Sequence, residues 1–212
     1  MRLTWLGHAS LKLESDAHLL YVDPYAGNEA LYTPADAVLV SQFHFDHCSL
    51  NLIRKIYNDN TIVLGTPEVA AQVFPSHVLR VDEHRLLPGF EVIGLQGKNP
   101  HPDLRGHADE GSKLGFLIRS EKKTVYCMAD SDFIPGTENL QPDVLLIPVG
   151  GTYTQGPREA ANTAKLLRPK LAIPIHWGSI VGTRDDAEVF KELVSAEGFE
   201  AKIVNPGDTV II

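Results

Sequence analysis

The stretch Gln42-Phe43-His44-Phe45-Asp46-His47 follows Ala37–Ser41, an apolar run with the length of a buried strand. Residues two apart in an extended loop point the same way, so His44 and Asp46 can face one pocket, and His47 turns with the chain where a helix begins. Imidazole nitrogen and carboxylate oxygen are ligands that zinc accepts, and other divalent metals bind them too. The hexapeptide alone also fits a surface His/Asp cluster in which Asp46 caps the following helix.

Polar groups also follow three later apolar runs, which favours one metal site over a surface cluster. Ligands gather at the carboxyl ends of strands in α/β sheets, so these groups are expected to converge. The runs Thr124–Met128, Val144–Val149 and Leu171–Ile175 are followed by Asp130 and Asp132, by Gly150-Gly151-Thr152-Tyr153-Thr154, and by His176.

The order of apolar runs predicts a strand-rich start and alternating strands and helices later, which is a layered α/β arrangement. Residues 97–113 form a polar loop in which His101 or His107 can complete a ligand set. The predicted strands are Leu3–Leu6, Leu11–Glu14, Leu19–Val22, Ala37–Ser41, Thr61–Leu64, Phe90–Leu95, Leu114–Ile118, Thr124–Met128, Val144–Val149, Leu171–Ile175, Lys202–Val204 and Thr209–Ile212. The predicted helices are Ser49–Tyr57, Pro67–Val73, Pro157–Leu167 and Asp185–Ala196.

Length and charge limit the classes of function. The 212 residues suit one domain, and 43% apolar residues are enough for a core. A net charge of -8 disfavours nucleic acid and anionic membranes as partners but allows a small-molecule substrate. No signal peptide or membrane-spanning run is apparent, so the expected location is the cytoplasm. The sequence does not indicate the oligomeric state or a role for Cys48.

The segment after Ser41 resembles the His-x-His-x-Asp-His signature of the metallo-β-lactamase superfamily. Further motifs are similar to one branch, which holds the ascorbate-6-phosphate lactonases and related metal-dependent hydrolases. These motifs are Trp5-Leu6-Gly7-His8-Ala9-Ser10, Val22-Asp23-Pro24, Met128-Ala129-Asp130-Ser131-Asp132, Pro148–Thr154 and Ile173–Gly178, and they extend over nearly the whole chain.

The resemblance implies a single domain over residues 1–212 with the four-layer αββα fold, in which helices lie outside two mixed β-sheets. It implies zinc as cofactor, with one or two ions per chain, although manganese or another divalent metal is possible. By position, His44 and a loop histidine would bind the first metal, and His107 is favoured because the branch places a histidine shortly before this glycine-containing strand. Asp46, His47 and His176 would bind the second metal, and Asp130 would bridge the two.

Gln42 departs from the family pattern because it takes the place of the first histidine. An amide oxygen is neutral and a weaker zinc ligand than imidazole, so the first site is expected to be weak, empty or selective for a harder metal. One lactamase subclass carries Asn at this position and works with a single zinc. A mononuclear enzyme is therefore the preferred interpretation, with Gln42 kept in the candidate ligand set.

The resemblance predicts hydrolysis of an ester, lactone or phosphodiester by a metal-bound hydroxide. Asp46 would accept a proton, Asp130 would orient the metal, and Tyr153 or Thr152 would stabilise an oxyanion unless they only form a turn. Orientation of the ligands is assigned to Asp23 and His8. For the aromatic residues, Tyr153 and Trp177 could line the pocket, and Phe43 and Phe45 could form its mouth or pack under the loop.

Two other functions are compatible with parts of the sequence. A catalytically degenerate metal-binding protein with a regulatory or scaffold role would explain Gln42. A nuclease of the superfamily is disfavoured, because the chain is short for the extra domain of those enzymes and its charge is acidic.

Overall fold

Two mixed β-sheets of seven strands each are formed by residues 1–98 and 112–212, which the computed structural model describes. The first sheet has the order β14-β1-β2-β3-β4-β5-β6, with β1 (Arg2–Gly7), β2 (Ser10–Ser15), β3 (His18–Val22), β4 (Ala37–Val40), β5 (Ile62–Gly65), β6 (His77–Val78) and β14 (Thr209–Ile211). The second has the order β13-β12-β11-β10-β9-β8-β7, with β7 (His84–Leu87), β8 (Phe90–Gln96), β9 (Leu114–Ser120), β10 (Lys123–Cys127), β11 (Val144–Pro148), β12 (Leu171–Ile175) and β13 (Glu200–Ala201).

Each sheet has an antiparallel part and a parallel part. Strands β3 to β6 are parallel in the first sheet, and β10 to β13 are parallel in the second. Parallel neighbours end at the same edge of a sheet, so the residues after these strands are brought together. The central strand β11 is buried along its whole length, as its unbroken apolar sequence predicts.

The α-helices within the described residues cover the outer faces of the sheets, namely α1 (Leu50–Ile56), α2 (Pro67–Gln72), α3 (Pro157–Leu167) and α4 (Arg184–Ala196). A short 3-10 turn spans Glu29–Leu31. The N-cap of α1 is Ser49, whose hydroxyl accepts a hydrogen bond from the Leu52 amide. Asp46 therefore does not cap this helix, and that interpretation of the loop is wrong.

Two apolar clusters account for the layers. Residues of α1 and α2, among them Ile53 and Val69, pack with Val38 and Val63 on the outer face of the first sheet. The larger cluster joins the facing sides of both sheets with the buried residues of α3 and α4. This arrangement is the αββα sandwich that the resemblance implied.

Asp143 fixes the start of β11 against β10. Its Oδ2 accepts hydrogen bonds from the backbone amide of Thr124 at 2.8 Å and from the hydroxyl of Thr124 at 3.0 Å. Its Oδ1 lies 2.7 Å from Nζ of Lys170. Burial alone would raise the pKa of Asp143, but the hydrogen bonds from Lys170 and Thr124 hold that pKa below its usual value.

The structure differs from the sequence-based elements in three places. Strands β6 and β7 were not predicted, because they are short and carry exposed or polar residues. The strand predicted over Lys202–Val204 is wrong, because the paired residues are Glu200 and Ala201, which lie beside Leu171 and Ala172 of β12.

In the part of the chain that the structure describes, no helix has the length and apolar character of a bilayer span.

Candidate metal centre

Side chains with metal-binding chemistry meet where strands of both sheets end. His8 follows β1, and Asp46 and His47 lie in the loop after β4. Asp130 and His176 follow β10 and β12 of the other sheet. The two sheets are joined directly at this point, because the amide of His176 donates to the carbonyl oxygen of His8 at 3.0 Å.

His8, Asp46, His47 and His176 each offer one ligand atom, and all four atoms lie within 4.8 Å of one another. The three histidines are buried, and Asp46 is half-buried with its Oδ2 3.1 Å from His8 Nε2. Ligand atoms around a tetrahedral zinc ion stand about 3.4 Å apart, since each bond is about 2.1 Å long. The four side chains can therefore converge on one cation with small movements.

Asp23 and Ser41 fix the orientation of His47. Asp23 Oδ2 lies 2.7 Å from His47 Nδ1, and the same carboxylate accepts hydrogen bonds from the amide and hydroxyl of Ser41, each at 2.7 Å. Both Asp23 and His47 are fully buried. A carboxylate on Nδ1 directs the Nε2 lone pair toward the cluster, and this is the support that metal-binding histidines usually have.

Asp130 lies between His47 and His176. Its Oδ2 is 3.1 Å from His47 Nε2 and its Oδ1 is 3.0 Å from His176 Nε2. Neither contact has the alignment of a hydrogen bond, so both ring nitrogens are buried without a hydrogen-bond partner among the described residues. Unsatisfied buried nitrogens are costly, and a cation bound by them would remove that cost.

The charges of this cluster shift its pKa values in opposite directions. Burial alone would raise the pKa of Asp130, but His47 and His176 hold it well below its usual value. Burial alone would lower the pKa of His47, but Asp130 and Asp23 raise it well above its usual value. The carboxylate of Asp130 therefore stays ionised at neutral pH.

Four residues at these strand ends have left-handed backbone conformations although none is glycine. The φ angles are 51° at His8, 46° at Asp23, 49° at Ala129 and 60° at His176. A positive φ costs a residue with a Cβ about 1–2 kcal/mol, and such strain gathers at functional sites. Here it turns each chain segment sharply after its strand, so that the side chains face one another.

Gln42 contacts Asp130 through its amide nitrogen. Nε2 of Gln42 donates to Oδ2 of Asp130 at 2.8 Å, while Oε1 is buried without a hydrogen-bond partner in the described parts of the chain. The opposite orientation would place the amide oxygen against a carboxylate oxygen, where no proton is available. The candidate ligand Gln42 thus presents a donor, and not a metal-binding oxygen, to Asp130.

A cavity of about 330 Å³ lies beside the cluster, and its walls are partly polar and partly apolar. Its polar and charged lining residues are His44, Asp46, Lys113 and Asp130. Its aromatic and apolar lining residues are Phe45, Tyr153 and Ile180. A larger groove of about 700 Å³ lies along α4, but none of the clustered ligands lines it.

The remaining predicted site residues lie in different surroundings. His44 and Tyr153 line the cavity, and His44 is not one of the four clustered ligands. Both His107 and the alternative His101 lie outside the described residues.

The aromatic residues divide between the cavity and the core. Phe45 is 72% exposed and lines the mouth of the cavity. Phe43 packs against the apolar cluster around α1 and therefore lies under the loop. Trp177 is buried against Trp5 with a centroid distance of 5.0 Å, and its indole N–H donates to Pro174. The expectation that Trp177 lines the pocket is therefore wrong.

Two residues gained importance only in three dimensions. His8 was expected to orient ligands, yet it is one of the four clustered residues; its Nε2 lies 3.1 Å from Asp46 Oδ2 and its Nδ1 lies 3.2 Å from the hydroxyl of Ser179. Lys113 had no role assigned, and it lines the cavity. The available signals were a histidine at a strand end for His8, and a lysine directly before the buried strand β9 for Lys113.

Comparison with known proteins establishes the family. The model of the β-lactamase superfamily domain matches residues 2–176. The chain belongs to the metallo-β-lactamase superfamily. Relatives within this superfamily include a UPF0173 metal-dependent hydrolase of Methanopyrus kandleri, 30% identical over 231 residues with 99% of both chains covered. Another, from Pyrobaculum islandicum, is 29% identical over 226 residues and covers the full length of both chains.

A solved structure supports the same fold. Igni18, a metallo hydrolase from Ignicoccus hospitalis, matches this metallo-β-lactamase fold with a TM-score of 0.81 and 23% identity over 99% of this chain and 97% of its own. Such a likeness concerns the fold alone. The names of the full-length relatives agree with the enzyme class predicted from the sequence, a metal-dependent hydrolase.

Proposed function

We propose that this protein is a hydrolase that uses one zinc ion to cleave an ester, lactone or phosphodiester bond in a small-molecule substrate. The observation that carries the proposal is the convergence of His8, Asp46, His47 and His176 beside a cavity that Asp46 lines. Three imidazoles and a carboxylate form a donor set that suits zinc better than calcium or magnesium, which prefer oxygen ligands.

The preference for a single metal is based on Gln42. A bridging role for Asp130 would require one of its oxygens to bind the first metal, and its Oδ2 instead accepts the amide hydrogen of Gln42. His44 lies at the cavity but outside the cluster of four. Among the described residues, the first site would therefore hold the imidazole of His44 beside an amide donor, which is a poor site for a cation.

The residues around the metal would divide the catalytic work. A divalent cation held by His8, Asp46, His47 and His176 would supply Lewis acidity, which lowers the pKa of water and polarises the bond under attack. Asp46 lines the cavity, and a divalent cation held beside it would favour the ionised form of its carboxylate. Asp46 can therefore accept a proton from the attacking water.

Tyr153 and Asp130 complete the proposed machinery. Tyr153 lines the same cavity, so its hydroxyl can donate to an oxygen that gains negative charge in the transition state. Asp130 holds the imidazoles of His47 and His176 close together through its two oxygens. The roles of these residues depend on the zinc ligands being in place, so removal of zinc is expected to abolish turnover.

Metal analysis combined with a substrate panel tests the proposal. The native protein should contain one zinc per chain and hydrolyse at least one ester, lactone or phosphodiester of a broad panel. His176→Ala should lose zinc and activity, whereas His77→Ala, which changes an exposed histidine of β6, should retain both. Zinc retained by His176→Ala would refute the ligand set.

The Gln42→His variant distinguishes one metal from two. It should gain capacity for a second metal if Gln42 is what excludes it, whereas two metals in the wild type would refute the mononuclear proposal. A zinc-loaded protein that turns over nothing in the panel would favour the second candidate, a degenerate metal-binding protein. The specific observation in favour of that candidate is the Gln42–Asp130 hydrogen bond.

A further inference from the structure

Ser179 contacts a member of the metal cluster without belonging to the cluster. Its hydroxyl oxygen lies 3.2 Å from Nδ1 of His8. His8 is fully buried, whereas Ser179 lies in an exposed segment between β12 and α4. A hydroxyl that reaches the outer nitrogen of a buried imidazole is suited to orient that imidazole, as the partners of metal-binding histidines do.

The backbone of His8 is fixed independently of its ring. The carbonyl oxygen of His8 accepts hydrogen bonds from the indole N–H of Trp5 and from the amide of His176, both at 3.0 Å. The centroid of the His8 ring lies 3.9 Å from that of His176. These contacts hold the ring in the cluster, but they do not determine which of its nitrogens carries the proton.

Each ring nitrogen of His8 faces a polar atom. Nδ1 faces the hydroxyl of Ser179, and Nε2 lies 3.1 Å from Oδ2 of Asp46. A neutral imidazole has one N–H and one lone pair, so these two neighbours decide its tautomer. An ionised carboxylate only accepts hydrogen bonds, whereas a hydroxyl donates or accepts. Ser179 is therefore compatible with a proton on either nitrogen of His8.

The zinc-free and the zinc-bound protein require opposite tautomers of His8. Without a cation, a proton on Nε2 is donated to Asp46, and the lone pair of Nδ1 accepts the hydroxyl hydrogen of Ser179. Nε2 is the nitrogen beside Asp46, another member of the cluster, so a ligand role for His8 requires the lone pair on Nε2. The proton then lies on Nδ1, and the oxygen of Ser179 has to accept its hydrogen bond.

The segment that carries Ser179 is anchored at its base. The amide of Gly178 donates to the carbonyl oxygen of Gly182 at 3.1 Å, which closes the segment into a loop. A Cβ at Gly182 would lie 2.8 Å from Cα of Gly150, which follows β11, so the base of the loop packs directly on that strand end. The framework of the second sheet therefore helps to hold Ser179 in place.

We infer that Ser179 is a positioning residue for His8, whose hydroxyl donates to Nδ1 in the zinc-free protein and accepts from the N–H of Nδ1 when Nε2 serves as a ligand. The inference rests on the proposed function, because His8 is one of the proposed zinc ligands. A hydroxyl suits both states, whereas a carboxylate would only accept and an apolar side chain would do neither.

A matched pair of variants tests the hydroxyl. Threonine and valine have nearly the same shape, but only threonine has a hydroxyl. Zinc affinity, measured by competition with a chromophoric chelator, should be about tenfold lower in Ser179→Val, the lower end of the range for lost partners of metal-binding histidines. Ser179→Thr should keep the affinity of the wild type. The control Ser195→Val makes the same change at an exposed position of α4 and should also keep it.

NMR of the histidine ring nitrogens reports the tautomer without turnover. The signals of His8 are identified in the zinc-free protein by their loss in His8→Gln, and they are then followed through a zinc titration of the wild type. The proton should lie on Nε2 before zinc is added and on Nδ1 afterwards. The same tautomer in both states would overturn the inference.

The outcomes distinguish this inference from the proposed hydrolase. Equal zinc affinities of Ser179→Val and Ser179→Thr would overturn the role of Ser179, even if the wild type hydrolyses esters. A change of tautomer on zinc binding, together with a loss of affinity confined to the valine variant, would support the role of Ser179. If no substrate is turned over in that case, only the hydrolase is refuted. If Ser179→Val fails to fold, Ser179→Ala takes its place in the comparison with Ser179→Thr.

Discussion

Asp23→Asn is the change that tests most directly how the metal centre is held. Asp23 is fully buried and accepts three hydrogen bonds of 2.7 Å, two from Ser41 and one that involves His47 Nδ1. Asparagine has nearly the same shape but only one oxygen. One of its two polar atoms must therefore carry hydrogens where Asp23 offers an acceptor.

Both orientations of the new amide are unfavourable. If the oxygen faces the amide of Ser41, the NH₂ group faces His47 Nδ1, which then becomes the acceptor and moves the proton to Nε2, where the metal should bind. If the amide is reversed, its NH₂ opposes the N–H of Ser41, and a buried donor without an acceptor costs about 1–3 kcal/mol. The expected result is a zinc affinity about 10- to 100-fold lower, the range found for lost supporting carboxylates.

Competition with a chromophoric chelator measures this affinity, and denaturant unfolding of the zinc-free protein measures the structural cost separately. Asp36→Asn is a matched control, because Asp36 accepts a backbone hydrogen bond from Leu19 away from the cluster. Its zinc affinity should equal that of the wild type. A zinc affinity of Asp23→Asn within twofold of the wild type would contradict the assignment of Asp23 to the orientation of His47.

Three further predictions concern the support of the site, the stability of the fold and the cavity. Gly150→Ala should lower zinc affinity about tenfold, because its Cβ would lie 2.5 Å from the carbonyl oxygen of His176, whereas Gly156→Ala, with no atom closer than 3.9 Å, should not. Asp143→Asn should lower the free energy of unfolding by about 1–2 kcal/mol at pH 7. The pKa of Asp143 is lowered in the folded state. The stabilisation by its carboxylate is therefore present above the unfolded pKa of about 3.9 and is lost as the pH falls through the folded pKa. If Asp143→Asn lowers the free energy of unfolding equally at pH 7 and pH 2.5 in urea melts, the prediction is contradicted. Phe45→Ala should change stability by less than about 0.5 kcal/mol because the ring is exposed, but it should raise KM for aromatic esters, and an unchanged KM would exclude Phe45 from the binding wall.

Much of the fold was predictable because its strands have strong local signals. Val144–Pro148 is apolar throughout and lies between parallel neighbours, so length and hydrophobicity suffice to identify it. His77–Val78 and His84–Leu87 lack that signal, since they are edge strands held mainly by backbone pairing. At Glu200–Ala201 only two residues pair with β12, and the more apolar residues after them, over which the sequence predicts a strand, do not take part in the pairing.

The site was predictable in its residue types but not in its geometry. The loop after β4 and the residues after β10 and β12 contain Asp46, His47, Asp130 and His176, and sequence alone singled these out. The position of His8 depends on a contact between strand ends that are far apart in the sequence, where the amide of His176 meets the carbonyl of His8. No local pattern encodes such a contact.

The direction of the candidate ligands follows from backbone conformations that residue types do not predict. His8, Asp23, Ala129 and His176 all have φ between 46° and 60°, a region in which glycine is the usual choice. Glycine would lower the strain at His8, Asp23 and His176 but would remove the side chains that form the cluster. The fold therefore accepts about 1–2 kcal/mol of strain at each of these positions, and the buried sheets on both sides supply the stability that offsets it. A sequence reader who sees a histidine at a strand end can infer its chemistry, but the turn that aims it at the cavity becomes visible only in the assembled sheets.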